Sequence, residues 1–337
     1  MVVSFEKKIF KFKKPSGTSR GVLFEKKSWF IRLELNGVIG VGECSVIPGL
    51  SPDYEDDKQY EAVLKKVSQQ IELLINNLQL LKDYPSILFG MESAILDLMN
   101  GGKQVYFDNE FSKGNLRVPI NGLIWMGDFE EMNNQIQQKI QEGYTCIKMK
   151  VGAIDFDQEV KLLESIRNKY SSKELILRVD ANGAFNTSNV ERNLQILNEL
   201  EIHSIEQPIM PKQIDLMADL CKKNIIPIAL DEELIGVNIL SEKKTLLEKI
   251  NPQYIILKPS LHGGITGTRE WVELAEKMNI GWWITSALES NIGLKCIAEF
   301  TAQFPINMHH GLGTGSLYEN NVDTDLTIEN GFIYETK

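Results

Sequence analysis

Residues 146–180 read CIKMKVGAIDFDQEVKLLESIRNKYSSKELILRVD, and this stretch decides the fold. A short aliphatic run ends at Lys150, an amphipathic segment follows, and a second aliphatic run ends at Asp180. This alternation predicts a strand, a helix and a second strand parallel to the first. The stretch is therefore one repeat of an α/β fold.

The same pattern repeats in both directions from residue 116 to residue 310. Eight short aliphatic runs, separated by seven helical segments, lie at 118–123, 146–150, 175–180, 203–206, 227–231, 254–258, 281–286 and 306–310. Eight parallel strands that alternate with helices are typical of a closed TIM-type barrel, here of the form (β/α)7β. An open doubly wound sheet is disfavoured, because no Gly-rich dinucleotide motif follows the first run and the Gly-rich stretch 311–315 follows the last.

The first 115 residues have a different pattern. Alternating runs at 5–12, 22–24 and 29–35 predict antiparallel strands, and Asn36-Gly37 predicts a hairpin turn. Helical periodicity follows within 60–99. We therefore predict an α+β domain over 1–115, a barrel over 116–310, and a C-terminal segment, 311–337, that returns to the N-terminal domain with a short strand at 332–334.

Composition limits the class of partner. The formal charge is −10 and the pI is about 5.1, which disfavours binding to nucleic acid or to anionic membranes. No stretch is apolar enough to span a bilayer, and residues 1–17 lack the apolar core of a signal peptide. The cysteines form no C-x-x-C pair and read as reduced core thiols. We expect a cytoplasmic protein whose partner is a small molecule.

Charged residues end five successive predicted strands. They are spaced 25 to 30 residues apart, about one repeat each, and are Lys150, Asp180, Glu206, Asp231 and Lys258. Any one of them alone is more simply a helix cap or a solvated charge. Because the C-terminal ends of barrel strands form the catalytic face, five in succession predict a shared active site.

The three carboxylates predict a metal site. Asp180, Glu206 and Asp231 end neighbouring strands, and adjacent carboxylates repel each other unless a cation lies among them. Oxygen ligands without His or Cys favour Mg²⁺, with Mn²⁺ as a possible substitute. A small-molecule carboxylate could then bind the metal and become acidic at its α carbon.

The two lysines predict proton-transfer chemistry. Lys150 and Lys258 end the second and sixth strands, four apart in a ring of eight, so they should face each other across the barrel mouth. A free lysine has a pKa of about 10.4 and needs another cation or burial to act as a base at neutral pH. Lys148, on the same strand face as Lys150, could supply that second positive charge.

These residues resemble a known family. The K-x-K motif at 148–150, D-x-N at 180–182, E-Q-P at 206–208, D-E at 231–232 and K-P at 258–259 are similar to those of the muconate-lactonizing-enzyme-like subgroup of the enolase superfamily. The similarity extends over essentially the whole chain. It implies that the N-terminal domain is a capping domain whose loops, here 14–21 and 42–51, cover the barrel mouth and select the substrate.

The resemblance also implies roles for further residues. Asn182 and Glu232 would support the metal site and the base, and Arg20 could contact an anionic group of the substrate. The stretches 285–294 and 310–315 look most like those of the o-succinylbenzoate-forming branch. In that branch Ser286, Glu289 and Ser290 would bind the substrate, although Ser290 is also a suitable N-cap for the next helix.

If that branch is right, the resemblance implies syn dehydration of 2-succinyl-6-hydroxy-2,4-cyclohexadiene-1-carboxylate to 2-succinylbenzoate, a step of menaquinone biosynthesis, with Lys150 as the base. An N-acylamino-acid racemase or dipeptide epimerase would use the same metal and both lysines. A barrel that binds metal and ligand without catalysis is a third alternative, but it would be expected to lose one of the lysines. The sequence leaves the oligomeric state open.

Overall fold

The N-terminal domain is built on an antiparallel sheet. The computed structural model describes residues 1–18, 21–152 and 155–336. Strands β1 (Val2–Thr18), β2 (Gly21–Leu35) and β3 (Val38–Ser45) pair in sequential order. Asn36 and Gly37 both have positive φ, as the predicted two-residue hairpin turn requires. Helices α1 (Asp57–Gln69), α2 (Ile71–Leu74) and α3 (Pro85–Met99) follow, as the periodicity predicts.

Glycines let α3 lie directly on β3. The two elements approach so closely that there is no space for a side chain at Gly40, Gly42 or Gly90. An added Cβ at Gly42 would lie 1.9 Å from the carbonyl oxygen of Gly90. The rest of this domain's core is aromatic and aliphatic and is centred on Trp29, Tyr60 and Met91.

The remaining chain contains the predicted barrel. After β4 (Val118–Pro119) come seven parallel strands in sequential order, β5 (Gly122–Ile124), β6 (Cys146–Lys150), β7 (Ile176–Asp180), β8 (Ser204–Glu206), β9 (Ile228–Leu230), β10 (Tyr254–Leu257) and β11 (Gly281–Ile284). The helices that alternate with them are α4 (Phe129–Gln141), α5 (Phe156–Arg167), α6 (Val190–Glu199), α7 (Ile214–Lys223), α8 (Leu240–Ile250), α9 (Gly264–Lys277) and α10 (Asn291–Thr301). Asp128, Asp155 and Ser290 cap α4, α5 and α10 with side-chain oxygens.

The eighth strand predicted at 306–310 is reduced to two bridges. His310 bridges in parallel to Ile120, and Gly311 bridges to Thr285 next to β11, so the ring still closes. One residue earlier, the backbone oxygen of His309 accepts a hydrogen bond from the Arg178 guanidinium at 2.8 Å. The barrel prediction is confirmed, with this last strand corrected to a short contact.

The first predicted strand, 118–123, is divided between two sheets. β4 pairs with a C-terminal hairpin of β12 (Leu326–Glu329) and β13 (Phe332–Glu335), whereas β5 belongs to the barrel. The C-terminal segment does return to the N-terminal domain where Tyr318 bridges to Phe12 of β1. Its short strand, however, pairs with β4, and next to this pairing the backbone N–H of Ile120 donates to the Gly331 oxygen. The predicted domain boundaries stay predictions.

The core agrees with the composition. A large cluster of buried aliphatic side chains fills the barrel and the layer between its strands and helices. Cys44, Cys146, Cys221 and Cys296 are all buried and unpaired, as predicted. In the described part of the chain no helix is both long enough and apolar enough to cross a membrane.

We predict that Gly42→Ala destabilises the N-terminal domain. The new methyl group would press on the α3 backbone, and overpacking of this kind costs roughly 1–3 kcal/mol. Urea unfolding followed by circular dichroism measures the change. Gly313→Ala is the matched control, because its Cβ would meet its nearest neighbour at an ordinary 3.6 Å. Equal stability of the two variants would contradict the close approach of α3 and β3.

Candidate active site

The five predicted charged residues lie at the C-terminal ends of neighbouring barrel strands. β6 ends at Lys150, β7 at Asp180 and β8 at Glu206, while Asp231 and Lys258 come one residue after β9 and β10. Strand pairing places Lys150 opposite Asp180 and Asp180 opposite Glu206. The structure therefore brings the predicted set to one mouth.

Lysine ammonium groups lie between the carboxylates. Lys148 Nζ is 3.1 Å from Asp180 Oδ2 and 2.7 Å from Glu206 Oε2. Lys150 Nζ is 3.0 Å from the same Asp180 oxygen. Lys258 contacts Asp231 directly. Each of the three carboxylates is thus paired with at least one ammonium group, and Lys148 neutralises carboxylates as well as standing near Lys150.

The pKa values reflect this pairing. Burial alone would raise the pKa of Asp180, but the ammonium groups of Lys148 and Lys150 outweigh burial and hold it well below its usual range. Burial and the charge of Asp180 raise the pKa of Glu206 well above its usual range. Burial would lower the pKa of Lys148 and Lys258, and the carboxylates around them raise it instead. Both amines are therefore stable as ammonium ions.

Two carboxylate oxygens of the site have no partner. Glu206 Oε1 and Asp231 Oδ1 are buried and accept no hydrogen bond from the described residues. Buried acceptors are normally satisfied, so such oxygens indicate a missing cation or donor. Within residues 1–18, 21–152 and 155–336, no three acidic, His or Cys side chains stand close enough to enclose a metal ion in this arrangement. A cation would have to replace the ammonium contacts that hold the carboxylates here.

Asn182 links the base candidate to Glu232. Its Oδ1 accepts a hydrogen bond from Lys150 Nζ at 2.7 Å, and its Nδ2 donates to Glu232 Oε1 at 3.0 Å. The backbone of Asn182 has φ of +44°, a left-handed conformation that asparagine tolerates better than most residues. The side chain is thereby turned back toward the end of β6.

Sequence reasoning missed two supporting residues. Gln207 is fully buried, and its side-chain oxygen accepts from the backbone N–H groups of Asp231 and Glu233 at 3.3 and 3.2 Å. His262 Nδ1 accepts from the backbone N–H of Lys258 at 2.8 Å, and burial lowers the pKa of His262 to about 3. The E-Q-P motif contained a signal for Gln207, whereas a lone His four residues after a lysine carried none.

The predicted substrate contacts are mostly bonded within the protein. Ser286 Oγ lies 2.7 Å from Thr314 Oγ1. Glu289 is fully buried and accepts from Ser260 Oγ at 2.5 Å and from the Ala287 N–H at 2.6 Å. Ser290 is also fully buried, and its hydroxyl donates to Glu43 Oε2 at 2.5 Å. The substrate-binding roles of Ser286, Glu289 and Ser290 stay predictions. The N-cap interpretation of Ser290 is confirmed.

Arg20, the predicted anion contact, lies outside the described residues.

The chain is similar to known proteins in sequence and in fold. Residues 131–336 match the model of the enolase C-terminal domain-like family. The chain is 44% identical to an o-succinylbenzoate synthase of Desulfotalea psychrophila (strain LSv54 / DSM 12343), over 99% of this chain and 98% of that protein. A crystal structure of MenC from Desulfotalea psychrophila LSv54 has 40% identity and a TM-score of 0.89, covering 99% of both chains.

A more distant structure is similar in fold alone. It is a dipeptide epimerase from Enterococcus faecalis V583 complexed with Mg and the dipeptide L-Leu-L-Tyr. Its identity is 18% and its TM-score 0.85, covering 100% of this chain and 97% of that one.

Proposed function

Since the chain belongs to the enolase superfamily, with the enolase C-terminal domain-like family matched over residues 131–336, we propose that the charged strand ends are its catalytic site. In this proposal Lys150 is the base, Lys258 and Lys148 supply positive charge, and Asp180, Glu206 and Asp231 bind Mg²⁺. The observation that carries the proposal is the contact of Lys150 Nζ with both Asp180 and Asn182 at the mouth.

The chain has the function of an o-succinylbenzoate synthase, a carbon–oxygen lyase. The reaction is the syn dehydration of 2-succinyl-6-hydroxy-2,4-cyclohexadiene-1-carboxylate to 2-succinylbenzoate in menaquinone biosynthesis. Removal of the proton at carbon 1 and of hydroxide at carbon 6 forms the last double bond of an aromatic ring. Aromatisation makes the overall reaction favourable, so the barrier to proton removal is what the enzyme must lower.

The residues at the mouth fit a divalent cation. Enzymes of the enolase superfamily use a Lys or His base together with Mg²⁺. Glu206 Oε1 and Asp231 Oδ1 are buried acceptors without a partner among the described residues, and they are the hard oxygen donors that Mg²⁺ prefers. When bound by Asp180, Glu206 and Asp231, the ion would stabilise the negative charge that develops on the substrate carboxylate. Mn²⁺ could replace it.

Lys150 moves the proton. As a neutral amine it takes the proton from carbon 1, next to the substrate carboxylate, and becomes an ammonium ion. The electron pair of that C–H bond moves toward the substrate carboxylate as an enediolate, and it then returns to form the new ring double bond as the C–O bond at carbon 6 breaks. The Lys150 ammonium then returns the proton to the departing hydroxide on the same face, so water leaves and the base is regenerated. Asn182 orients Nζ for both steps.

Lys258 acts on the opposite side of the mouth. It follows β10, four strands away from β6 in the ring. The carboxylates around it overcome burial and raise its pKa, so it is positioned to act as a fixed positive charge rather than as a second base. Dehydration needs proton transfer on one face only, whereas racemisation needs a base on each face.

We also propose that the partner of the site is a small-molecule carboxylate and that the protein is cytoplasmic. The unpaired, buried cysteines support that compartment.

Incubation of the purified protein with Mg²⁺ and the cyclohexadiene substrate tests the proposed reaction. We predict loss of the diene absorbance and a product with the mass of 2-succinylbenzoate. An N-succinylamino acid in D₂O, followed by proton NMR, serves as the parallel test for racemisation. Exchange of its α proton without dehydration of the diene would show that the protein is an N-acylamino-acid racemase. The proposed roles of the lysines and the metal would then still stand.

We predict that Lys150→Ala lowers kcat by at least about 10²-fold, because a positioned general base contributes roughly 10²- to 10⁴-fold. Circular dichroism should show an unchanged fold. Lys244→Ala is the matched control, since Lys244 is exposed on α8 and pairs only with Glu248 in the described structure. Near wild-type turnover in Lys150→Ala would show that Lys150 is not the base.

A further inference from the structure

The loop that follows β11 has a strained backbone. It spans residues 285–290, and Leu288 within it has φ of +62°. A branched, non-glycine residue rarely adopts this conformation, and it persists only where the surroundings enforce it. The loop begins at the C-terminal end of a barrel strand, on the same face as Lys150 and Lys258. A strained residue in a loop at the barrel mouth therefore indicates a functional role for that loop.

Glu43, at the end of β3 in the N-terminal domain, holds the end of this loop. Its carboxylate accepts four hydrogen bonds, from Ser290 N at 2.9 Å, Ser290 Oγ at 2.5 Å, Gly293 N at 2.9 Å and Ser28 Oγ at 2.6 Å. Glu43 is completely buried. Because the carboxylate also lies at the N-terminus of α10, the helix dipole adds to these charge-assisted bonds.

Other contacts from outside the barrel hold the middle of the loop. Ser45 Oγ donates to the Ala287 oxygen at 3.3 Å, and the Tyr318 hydroxyl donates to the Leu288 oxygen at 2.7 Å. The Leu288 side chain packs in a cluster with Phe10, Phe12 and Phe30 of the N-terminal sheet. The conformation of Leu288 is thus enforced by the N-terminal domain and the C-terminal segment.

The loop is also bonded to the residues next to Lys258. Glu289, which adjoins Ser290, accepts a hydrogen bond from Ser260 Oγ at 2.5 Å. Ser260 lies two residues after Lys258, and the two belong to the same turn, in which His262 binds the backbone of Lys258. Packed contacts therefore run continuously from Glu43 through the loop to one wall of the mouth.

We propose that Glu43 is a positioning residue, which fixes the loop at 285–290 in its strained, substrate-competent conformation when the N-terminal domain is docked. The inference rests on the proposed function, because the substrate is that of the dehydration. In the described structure the Glu43 carboxylate is bonded to Ser28, Ser290 and Gly293 and to none of the charged strand-end residues, so it should act on the fraction of molecules able to bind substrate and not on the chemical step. A smaller competent fraction weakens apparent affinity in proportion and leaves the rate at saturation unchanged.

Glu43→Gln tests the proposal. The amide keeps the size of the side chain, but its NH₂ group would face the N–H and O–H donors that the carboxylate accepts. We predict that KM for the cyclohexadiene substrate at saturating Mg²⁺ rises by about tenfold or more, with kcat within about threefold of wild type. Hydrogen exchange read by mass spectrometry should show faster exchange in 287–293 and unchanged exchange in the barrel strands.

Asp97→Asn is the matched control. Asp97 is a fully buried carboxylate that also accepts backbone N–H bonds, from Val41 of β3 and from Gln104, but it does not contact the loop. We predict that Asp97→Asn lowers thermal stability and leaves both KM and exchange in 287–293 unchanged.

The outcomes separate the two proposals. An unchanged KM or unchanged exchange in Glu43→Gln would overturn the positioning role, and so would a fall in kcat with KM unaltered. Similar KM increases in Glu43→Gln and Asp97→Asn would show that Glu43 has a general structural role and no specific effect on the loop. If the wild-type protein does not dehydrate the substrate, the proposed function fails, whereas the exchange experiment still decides whether Glu43 holds the loop.

Discussion

Three carboxylates are held side by side in the interior of the mouth, and their repulsion is the constraint on which the site depends. Pairing of β6 with β7 and of β7 with β8 fixes the spacing of Lys150, Asp180 and Glu206, so the negative charges cannot move apart. Positive charge must therefore lie among them. In this structure Lys148, Lys150 and Lys258 supply it. The proposed Mg²⁺ would take over part of that role and free an amine to act as a base.

Charge compensation needs groups held at fixed positions around the mouth. Five successive βα repeats each deliver one charged group at the end of the strand or one residue after it, and the hydrogen-bonded ring fixes their order around the mouth. Supporting contacts then set their orientation. Asn182 holds Lys150, Gln207 holds the backbone at Asp231, and His262 holds the backbone at Lys258. The arrangement suits chemistry in which one amine moves a proton and the opposite one stays charged.

The sequence predicts the strand ends well because the signal there is local. An aliphatic run of three to five residues that ends in a charged residue, repeated at one-unit spacing, is sufficient to place Lys150, Asp180, Glu206, Asp231 and Lys258. The short eighth strand could not be predicted from local pattern, since contacts such as that of Arg178 with the backbone oxygen of His309 join residues 131 positions apart in the chain. The division of 118–123 between two sheets likewise depends on Gly331, far along the chain.

The contacts of Ser290, at the site, also could not be predicted from local sequence. Its serine hydroxyl was predicted from resemblance to face a substrate, yet its partner is Glu43, 247 residues earlier in the chain. A contact between domains leaves no periodic pattern in either segment. Glu289 is similar, since one of its two hydrogen-bond donors is Ser260, 29 residues earlier in the chain, in the turn after β10. Local pattern thus predicts which groups converge, whereas tertiary contacts decide which of them face the solvent.

Calorimetric titration with Mg²⁺, and with Mn²⁺ in parallel, tests most directly whether a divalent ion completes this charge balance. We predict one ion bound per wild-type chain, and affinity at least about 100-fold weaker in Glu206→Gln, since even supporting contacts of metal sites are typically worth 10- to 100-fold. Glu248→Gln, on the exposed face of α8, should bind as wild type does. Equal affinity in wild type and Glu206→Gln, or no binding to the wild-type chain, would contradict the account.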